Sequence, residues 1–336
     1  MAVFTKLTKS QIATHLTKYS IGELLDFQEI IEGIDNSNFF LTTTSGKFVL
    51  TIFESRINKN ELPFFINFKL HLAREGILCP RPILDNQGAA IVDLQEKKSI
   101  IVTFLEGKNL QPLADGYYNN ITDNHCFEVG KTLAQLHLAA QGFTEFRKND
   151  LGIKNWRPLF AKFQNLLPSY QKNLDAEILQ MLDFLEKSWS VDLPSAAAHL
   201  DLFPDNVFFS QNQNWSQNQK PNQQESAPKI SAIIDFYFAA NDFLIYDFAI
   251  AVNAWCFDEK NNFVASKFKA LKKGYEELRK FSPQEEDFLK IALCGSAMRF
   301  LLTRLHDMFF TPKNSLVKIK NPQEYLQKIN YWKTKL

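Results

Sequence analysis

An acid and an amide share one short polar loop in His199-Leu200-Asp201-Leu202-Phe203-Pro204-Asp205-Asn206, which opens directly into the apolar run Val207-Phe208-Phe209. Downstream, Ile233-Ile234-Asp235-Phe236 sets a second acid at the end of another apolar run, and a hairpin would bring Asp235 beside Asn206. Transfer of a phosphoryl group to a hydroxyl uses such a set. One carboxylate orients the attacking hydroxyl and takes its proton, while an amide and a further carboxylate supply the oxygen ligands that Mg²⁺ prefers. The loop pattern alone is equally compatible with an ordinary Asp-containing turn. The order of parts carries the argument further: a β-rich region, an apolar connection, a helix, the loop, then Ile-Ile-Asp.

These residues need elements to position them. Thr8 and Gln11 fit a capping box, which predicts a helix over about 10–19. Runs at 25–31, 38–43 and 48–53, joined by Glu32-Gly33-Ile34-Asp35-Asn36-Ser37 and by Ser45-Gly46, predict an antiparallel meander. Helical spacing over 60–74 stops at Gly76, Pro80 and Pro82 force an extended segment, and runs at 89–94 and 99–104 complete a sheet. Beyond Leu105-Glu106-Gly107, helical patterns take over at 123–138, 175–187, 265–279 and 283–307, with a single β run at 206–209 plus 230–236. The expected fold is α+β, with a small β-rich part at 1–105 and a larger, mainly helical part at 106–336. Residues 211–228, rich in Asn and Gln, cannot bury a core and read as a flexible hairpin loop.

Bulk properties exclude several classes. A chain of 336 residues is too long for one small core and fits two lobes. Lys and Arg total 38 against 37 acids, a net charge of +1, so a polyanion-binding surface is not indicated and no nucleic-acid partner is expected. The 31 phenylalanines point to an aromatic core. The four cysteines form no CxxC pair, which argues against a zinc site or a disulfide framework and suits a reducing compartment. Residues 1–11 carry no apolar signal core, and the most apolar stretch, 231–257, is interrupted by Asp235, Asn241, Asp242, Asp247 and Asn253. A cytoplasmic protein without a membrane span is expected. His15, His71, His125 and His306 show no ligand spacing, and His137 reads as a packed helix residue.

Two arginines stand out. Arg299 and Arg304 are embedded in an apolar helical run, 297–305, where a guanidinium needs an anionic partner or a water-filled cleft. A substrate carboxylate would satisfy either one, and so would an internal salt bridge.

With Tyr246-Asp247-Phe248-Ala249 after Ile234-Asp235-Phe236, the catalytic loop resembles that of the aminoglycoside phosphotransferase/choline kinase superfamily. Within it the chain is most similar to the homoserine kinases of the phosphotransferase type. The similarity is carried by Glu32-Gly33-Ile34-Asp35-Asn36-Ser37-Asn38-Phe39, Val49-Leu50-Thr51-Ile52-Phe53-Glu54, Asn60-Glu61-Leu62-Pro63-Phe64-Phe65, Ile234-Asp235-Phe236-Tyr237-Phe238-Ala239, Asn253-Ala254-Trp255-Cys256-Phe257 and the run from Gly295 through Arg299 to Arg304 and Leu305. It reaches from the first strand to about residue 310 and leaves out the Asn/Gln-rich loop.

The resemblance implies a protein-kinase-like two-lobe fold, ATP and Mg²⁺ as cofactors, and phosphorylation of L-homoserine on the path to threonine. It implies Asp201 as base, His199 as a brace for the loop, and Asn206 and Asp235 as Mg²⁺ ligands. The turn with Gly33, Asn36, Ser37 and Asn38 would cover the ATP phosphates, with Phe104 and Leu105 in a hinge beside adenine. Asp247 would support the loop, Arg299 or Arg304 would meet the homoserine carboxylate, Asp242 would meet its ammonium, and Tyr237 and Trp255 could line the pocket. One position departs from the wider pattern: Thr51 stands where kinase-like folds usually carry a phosphate-clamping Lys or Arg. The homoserine-kinase-like branch shares this Thr, which leaves the clamp unassigned among Lys47, Arg56 and Lys59 and removes the usual partner of Glu61. The alternatives are a kinase for choline, an aminoglycoside or a sugar, and a nucleotide-binding pseudokinase. The absence of a Gly-Leu-Gly-Ser-Ser-type phosphate loop argues against the second known homoserine kinase fold.

Overall fold

The structure, a computed structural model, describes residues 5–30, 36–54, 58–113, 118–210, 228–312 and 319–336. It comprises two compact units, Met1–Glu106 and Gly107–Leu336. Gly33 and Arg56 fall outside the described residues, as does 211–227, nearly all of the Asn/Gln-rich segment.

In the first unit, α1 (Lys9–Leu16) is followed by β1 (Leu24–Ile30), β2 (Asn36–Thr43), β3 (Gly46–Phe53), α2 (Leu62–Arg74), β4 (Val92–Leu94) and β5 (Lys97–Thr103). The strands form one antiparallel sheet in the order β1-β2-β3-β5-β4. Period-2 alternation decides its inner face: Phe39 and Leu41 of β2, Phe48, Leu50 and Ile52 of β3 and Ile101 of β5 pack with Ile12 and Leu16 of α1. The Thr8/Gln11 capping box is formed, but α1 stops at Leu16, and Tyr19 and Ile21 leave the helix to join the same core.

The end of β3 is tied down by charge. Glu54 Oε1 accepts hydrogen bonds from Thr5 Oγ1 and Ser37 Oγ, each 2.7 Å, and its other oxygen pairs with Lys97 at the start of β5. Lys97 also donates to Thr5 Oγ1 at 2.7 Å.

In the second unit the elements run β6 (Lys108–Asn109), α3 (Asp123–Ala140), α4 (Ile153–Ala161), α5 (Leu167–Tyr170), α6 (Leu174–Ser188), β7 (Ser195–Ala198), β8 (Val207–Phe209), β9 (Ile230–Ile233), β10 (Ala240–Phe243), α7 (Leu244–Trp255), α8 (Ala265–Glu276), α9 (Pro283–Phe310) and α10 (Pro322–Lys333). Every residue of α7 is buried, so the unit is built around this helix. α3 and α8 approach backbone to backbone. A Cβ on Gly130 would lie 2.0 Å from the Leu271 carbonyl oxygen, and one on Gly274 would lie 2.0 Å from that of Phe127. α10 docks through Asn253 of α7, whose backbone oxygen accepts from Lys328 Nζ and whose Oδ1 accepts from Trp332 Nε1, both at 2.8 Å.

The expected single β run is present as the β8/β9 hairpin, but it is not alone. β6 extends it, and β7 pairs antiparallel with β10. β7 reads Ser-Ala-Ala-Ala, without the branched or aromatic alternation that marks a strand, and forms through its partner. Helix α7 shows no polar face because it has none, so its 3.6-residue period leaves no contrast to read.

Burial opposes ionisation of Glu54, but the hydrogen bonds from Lys97, Thr5 and Ser37 and the Lys97 charge prevail and hold its carboxyl below the usual range. A depressed carboxyl stabilises the fold above its unfolded-state pKa and loses that contribution as pH falls through the folded value. Glu54→Gln should therefore lower stability at pH 7 by about 1–2 kcal/mol, allowing for the partly exposed lysine. The difference from the native protein should shrink as the pH is lowered below about 4. Urea melts at pH 7 and pH 4 check both parts.

Candidate active site

The loop between β7 and β8 is held on every side by named groups. Leu200 takes a left-handed backbone, φ 60°, which costs a branched residue roughly 1–2 kcal/mol. Its surroundings make that conformation worthwhile. The backbone N–H groups of His199 and Leu200 donate to the two oxygens of Asp247, at 3.0 and 2.8 Å. The Leu200 carbonyl accepts from Arg299 Nη1. Two residues on, the Leu202 carbonyl accepts from the indole of Trp255 at 2.8 Å.

Asp247 is fully buried on α7. Burial raises its pKa, but His137, His199 and the Leu200 N–H outweigh that and hold it below the usual carboxylate range. His137 Nε2 donates to Asp247 Oδ2 at 3.0 Å. Behind His137, Tyr275 Oη lies 2.7 Å from Nδ1, Arg279 Nη1 donates to Tyr275 Oη at 3.0 Å, and Arg279 Nη2 lies 2.8 Å from Glu285. A buried chain thus runs from the first turn of α9 to the catalytic loop.

His199 joins the two acidic turns. Its Nδ1 accepts from the Asp201 N–H at 3.2 Å, which leaves the proton on Nε2 to be donated to the Ile234 carbonyl at 2.9 Å. The Nδ1 contact needs the neutral ring, and burial lowers the His199 pKa accordingly. Asp235 follows Ile234 in a left-handed conformation, φ 64° and ψ 65°. The Ile234 N–H donates to the Asn206 carbonyl at 3.0 Å, so Asn206 and Asp235 emerge side by side from paired strands.

Asn206 Nδ2 donates to the Asp201 carbonyl at 2.9 Å, which turns the amide oxygen away from that contact. Among the described residues no group of three or more His, Cys, Asp or Glu side chains could cage a metal ion. Two oxygen donors beside each other suit Mg²⁺, which keeps waters and borrows ligands from phosphates.

The Asp201 side chain is 18% exposed, with Arg299 Nη2 4.0 Å away. Burial raises its pKa against the opposing charges of Arg299 and Lys320. A carboxyl made a better proton acceptor at an open face is what general base chemistry asks for. Asp242 lies farther along β10, its oxygens held by Asn149 Nδ2 at 2.6 Å and the Phe243 N–H at 2.8 Å, with burial raising its pKa.

The structure therefore brings His199, Asp201, Asn206, Asp235 and Arg299 together. It places Arg304 elsewhere: Nη1 lies 2.5 Å from Glu324 and donates to the Asn321 carbonyl at 2.8 Å. In the first unit, the Ser37 hydroxyl is committed to Glu54 and buried, while Asn38 Oδ1 accepts from Thr51 Oγ1 at 2.7 Å. Asn36 Oδ1 accepts from the Glu54 N–H, and the Phe104 ring packs edge-on to Phe40 under the Lys47 ammonium. Leu105 is half-buried. Sequence reading missed what His137 and Trp255 do. Each sits on an apolar helix face as a core residue would, while the Trp255 indole bonds the loop directly and the His137 ring bonds Asp247 beneath it.

Residues 26–281 match the phosphotransferase enzyme family. A homoserine kinase of Bartonella henselae is 43% identical over 99% of this chain and 97% of its own length, and one of Rhizobium meliloti is 40% identical over 98% and 94%. Among solved structures, an amicoumacin kinase in complex with AMP-PNP and Ca²⁺ superposes with a TM-score of 0.67 at 13% identity, covering 98% of this chain and 94% of that one. A choline kinase of Cryptosporidium parvum gives 0.65 at 16% identity, covering 98% and 95%.

Asp247→Ala should strand two buried N–H groups and His137, lowering stability by about 3 kcal/mol or more. It should cut turnover more than it changes either KM, because it frees the loop rather than removing a contact with substrate. Denaturant melts alongside steady-state kinetics at a temperature where the variant is folded check both; a stable variant with normal turnover would remove Asp247 from the loop's support.

Proposed function

This chain belongs to the phosphotransferase enzyme family, and on that premise we propose that it transfers the γ-phosphoryl group of ATP to the side-chain hydroxyl of L-homoserine, giving O-phospho-L-homoserine for threonine synthesis. The observation that carries the acceptor is the 40–43% identity to homoserine kinases over nearly the whole chain. The reaction class has independent support in the loop geometry: a carboxyl with a raised pKa beside an arginine, next to paired Asn and Asp oxygens.

Asp201 orients the acceptor hydroxyl and takes its proton as the oxygen attacks. Arg299 holds the loop that carries Asp201 and faces the acceptor side with a buried Nε that has no protein partner. Asn206 and Asp235 would hold Mg²⁺, which when bound offsets charge on the transferring phosphate. His199 keeps the two acidic turns in register. Asp242 would meet the acceptor's ammonium, although it already accepts from Asn149. Arg304, bound to Glu324, would serve the site from one layer back by fixing α10. In the first unit, Gly33, Asn36, Asn38, Phe104 and Leu105 would contact the nucleotide, and Ser37 through its backbone. Four buried free cysteines favour a reducing, cytoplasmic setting, and among the described residues no helix is long and apolar enough to cross a membrane.

Mg²⁺·ATP turnover with homoserine, choline and kanamycin tests the acceptor directly, with homoserine expected to lead. Asp201→Asn should lower kcat by roughly 10²–10⁴-fold with little change in ATP binding, the usual share of a general base. Asp235→Ala should abolish turnover and flatten the Mg²⁺ dependence of nucleotide binding, read by titrating the metal against nucleotide. A normal titration with normal turnover would exclude Asp235 as a ligand.

A further inference from the structure

The family match ends at residue 281, so α9 and α10 lie beyond it, yet both reach the catalytic loop. α9 does so through Arg299. α10 does so through the residues that lead into it, and its start is fixed unusually well. Asn321 caps the helix by accepting from the Gln323 N–H at 3.0 Å, and its carbonyl accepts from Arg304. Glu324, one turn in, pairs with Arg304 and with Lys328 at 2.6 Å, and its carbonyl accepts from Asn261 at 2.8 Å.

Lys320 immediately precedes this anchored cap. It is exposed, and its ammonium lies 5.3 Å from the centre of the Phe203 ring, two residues past Asp201. Among the described residues no carboxylate lies within ion-pair distance of it, although its charge is felt at Asp201. Nearby, the buried Arg299 Nε is a donor with no protein partner among the described residues.

An acceptor with its hydroxyl at Asp201 carries its carboxylate only two methylenes and an α-carbon away. That carboxylate needs a cation with a free donor. Arg304 is shared between Glu324 and a carbonyl; Arg299 has an unpartnered Nε but is buried, anchored on Leu200 and turned toward Asp201, whereas Lys320 is exposed with no carboxylate in reach among the described residues. We infer that Lys320 binds the carboxylate of the amino-acid acceptor, and that α10 is the rigid carrier that presents it beside the catalytic loop. This rests on the reading of homoserine as acceptor. It assigns the selection of an amino acid over a plain amino alcohol to a segment beyond residues 26–281, the part matched to the family.

Steady-state kinetics of Lys320→Met and Lys320→Arg test it. Lys320→Met should raise KM for homoserine roughly tenfold or more, the usual effect of losing one charge-assisted hydrogen bond, with kcat and KM for ATP little changed. Lys320→Arg should restore much of the loss. Inhibition by 3-aminopropan-1-ol, which is homoserine without its carboxylate, should be the same in native and Met enzymes. An unchanged homoserine KM, a fall in kcat alone, a rise in KM for ATP alone, or an equal weakening of 3-aminopropan-1-ol would overturn the assignment. Native enzyme that does not phosphorylate homoserine would instead overturn the functional reading, and this inference with it.

Discussion

One buried carboxylate sets the geometry on which the site depends. Asp247 receives two consecutive backbone N–H groups of the loop after β7, and at the second of them, Leu200, the chain turns with a positive φ. The same twist turns the Leu200 carbonyl toward Arg299. A strained residue, a buried anion and a buried cation are each costly alone. Together they cancel much of that cost, and Asp201 is left projecting from a backbone with little freedom. The chain through His137, Tyr275 and Arg279 to Glu285 extends the dependence to α3, α8 and the start of α9. Each donor there has an acceptor, as a low-dielectric interior requires.

This arrangement explains what could be read from sequence and what could not. The proximity of Asp201, Asn206 and Asp235 was legible because it depends on local spacing, and a hairpin joins the two acidic turns. The meander of the first unit was legible because one face of each strand is apolar and the other is not. Helix α7 was not, since complete burial erases the periodicity that identifies a helix. His137 and Trp255 were not, since a residue that packs with one edge and bonds with another looks in sequence like any core residue. Ser37 illustrates the converse. It lies in the segment matched to a phosphate-covering turn, yet its hydroxyl answers Glu54, an acid seventeen positions away whose role no local pattern announces.

Thr51 shows how a missing charge can be accommodated. Its hydroxyl donates to Asn38 on the neighbouring strand, so a neutral pair occupies the place where a lysine would be expected. A lysine at this nearly buried position would have to displace that hydrogen bond and find a counter-charge of its own. The substitution is thus internally consistent, and it moves the burden of offsetting phosphate charge to other groups.

The two arginines of α9 bring these threads together. They stand five residues apart in one apolar helix, and sequence alone offers each the same two solutions, a substrate carboxylate or an internal acid. Arg304 takes the internal acid, and the acid it takes belongs to α10. Arg299 takes a backbone carbonyl of the loop and approaches Asp201 without closing on it, leaving its Nε without a partner among the described residues. A full salt bridge there would lower the pKa of Asp201 and occupy the oxygen that must receive a proton. At 4.0 Å the guanidinium anchors the loop through Leu200 without a hydrogen bond to the Asp201 carboxyl. The same residue type on the same helix therefore fixes α10 through an ion pair in one case and the loop after β7 through a backbone carbonyl in the other, and the difference lies in how close the opposing carboxylate comes.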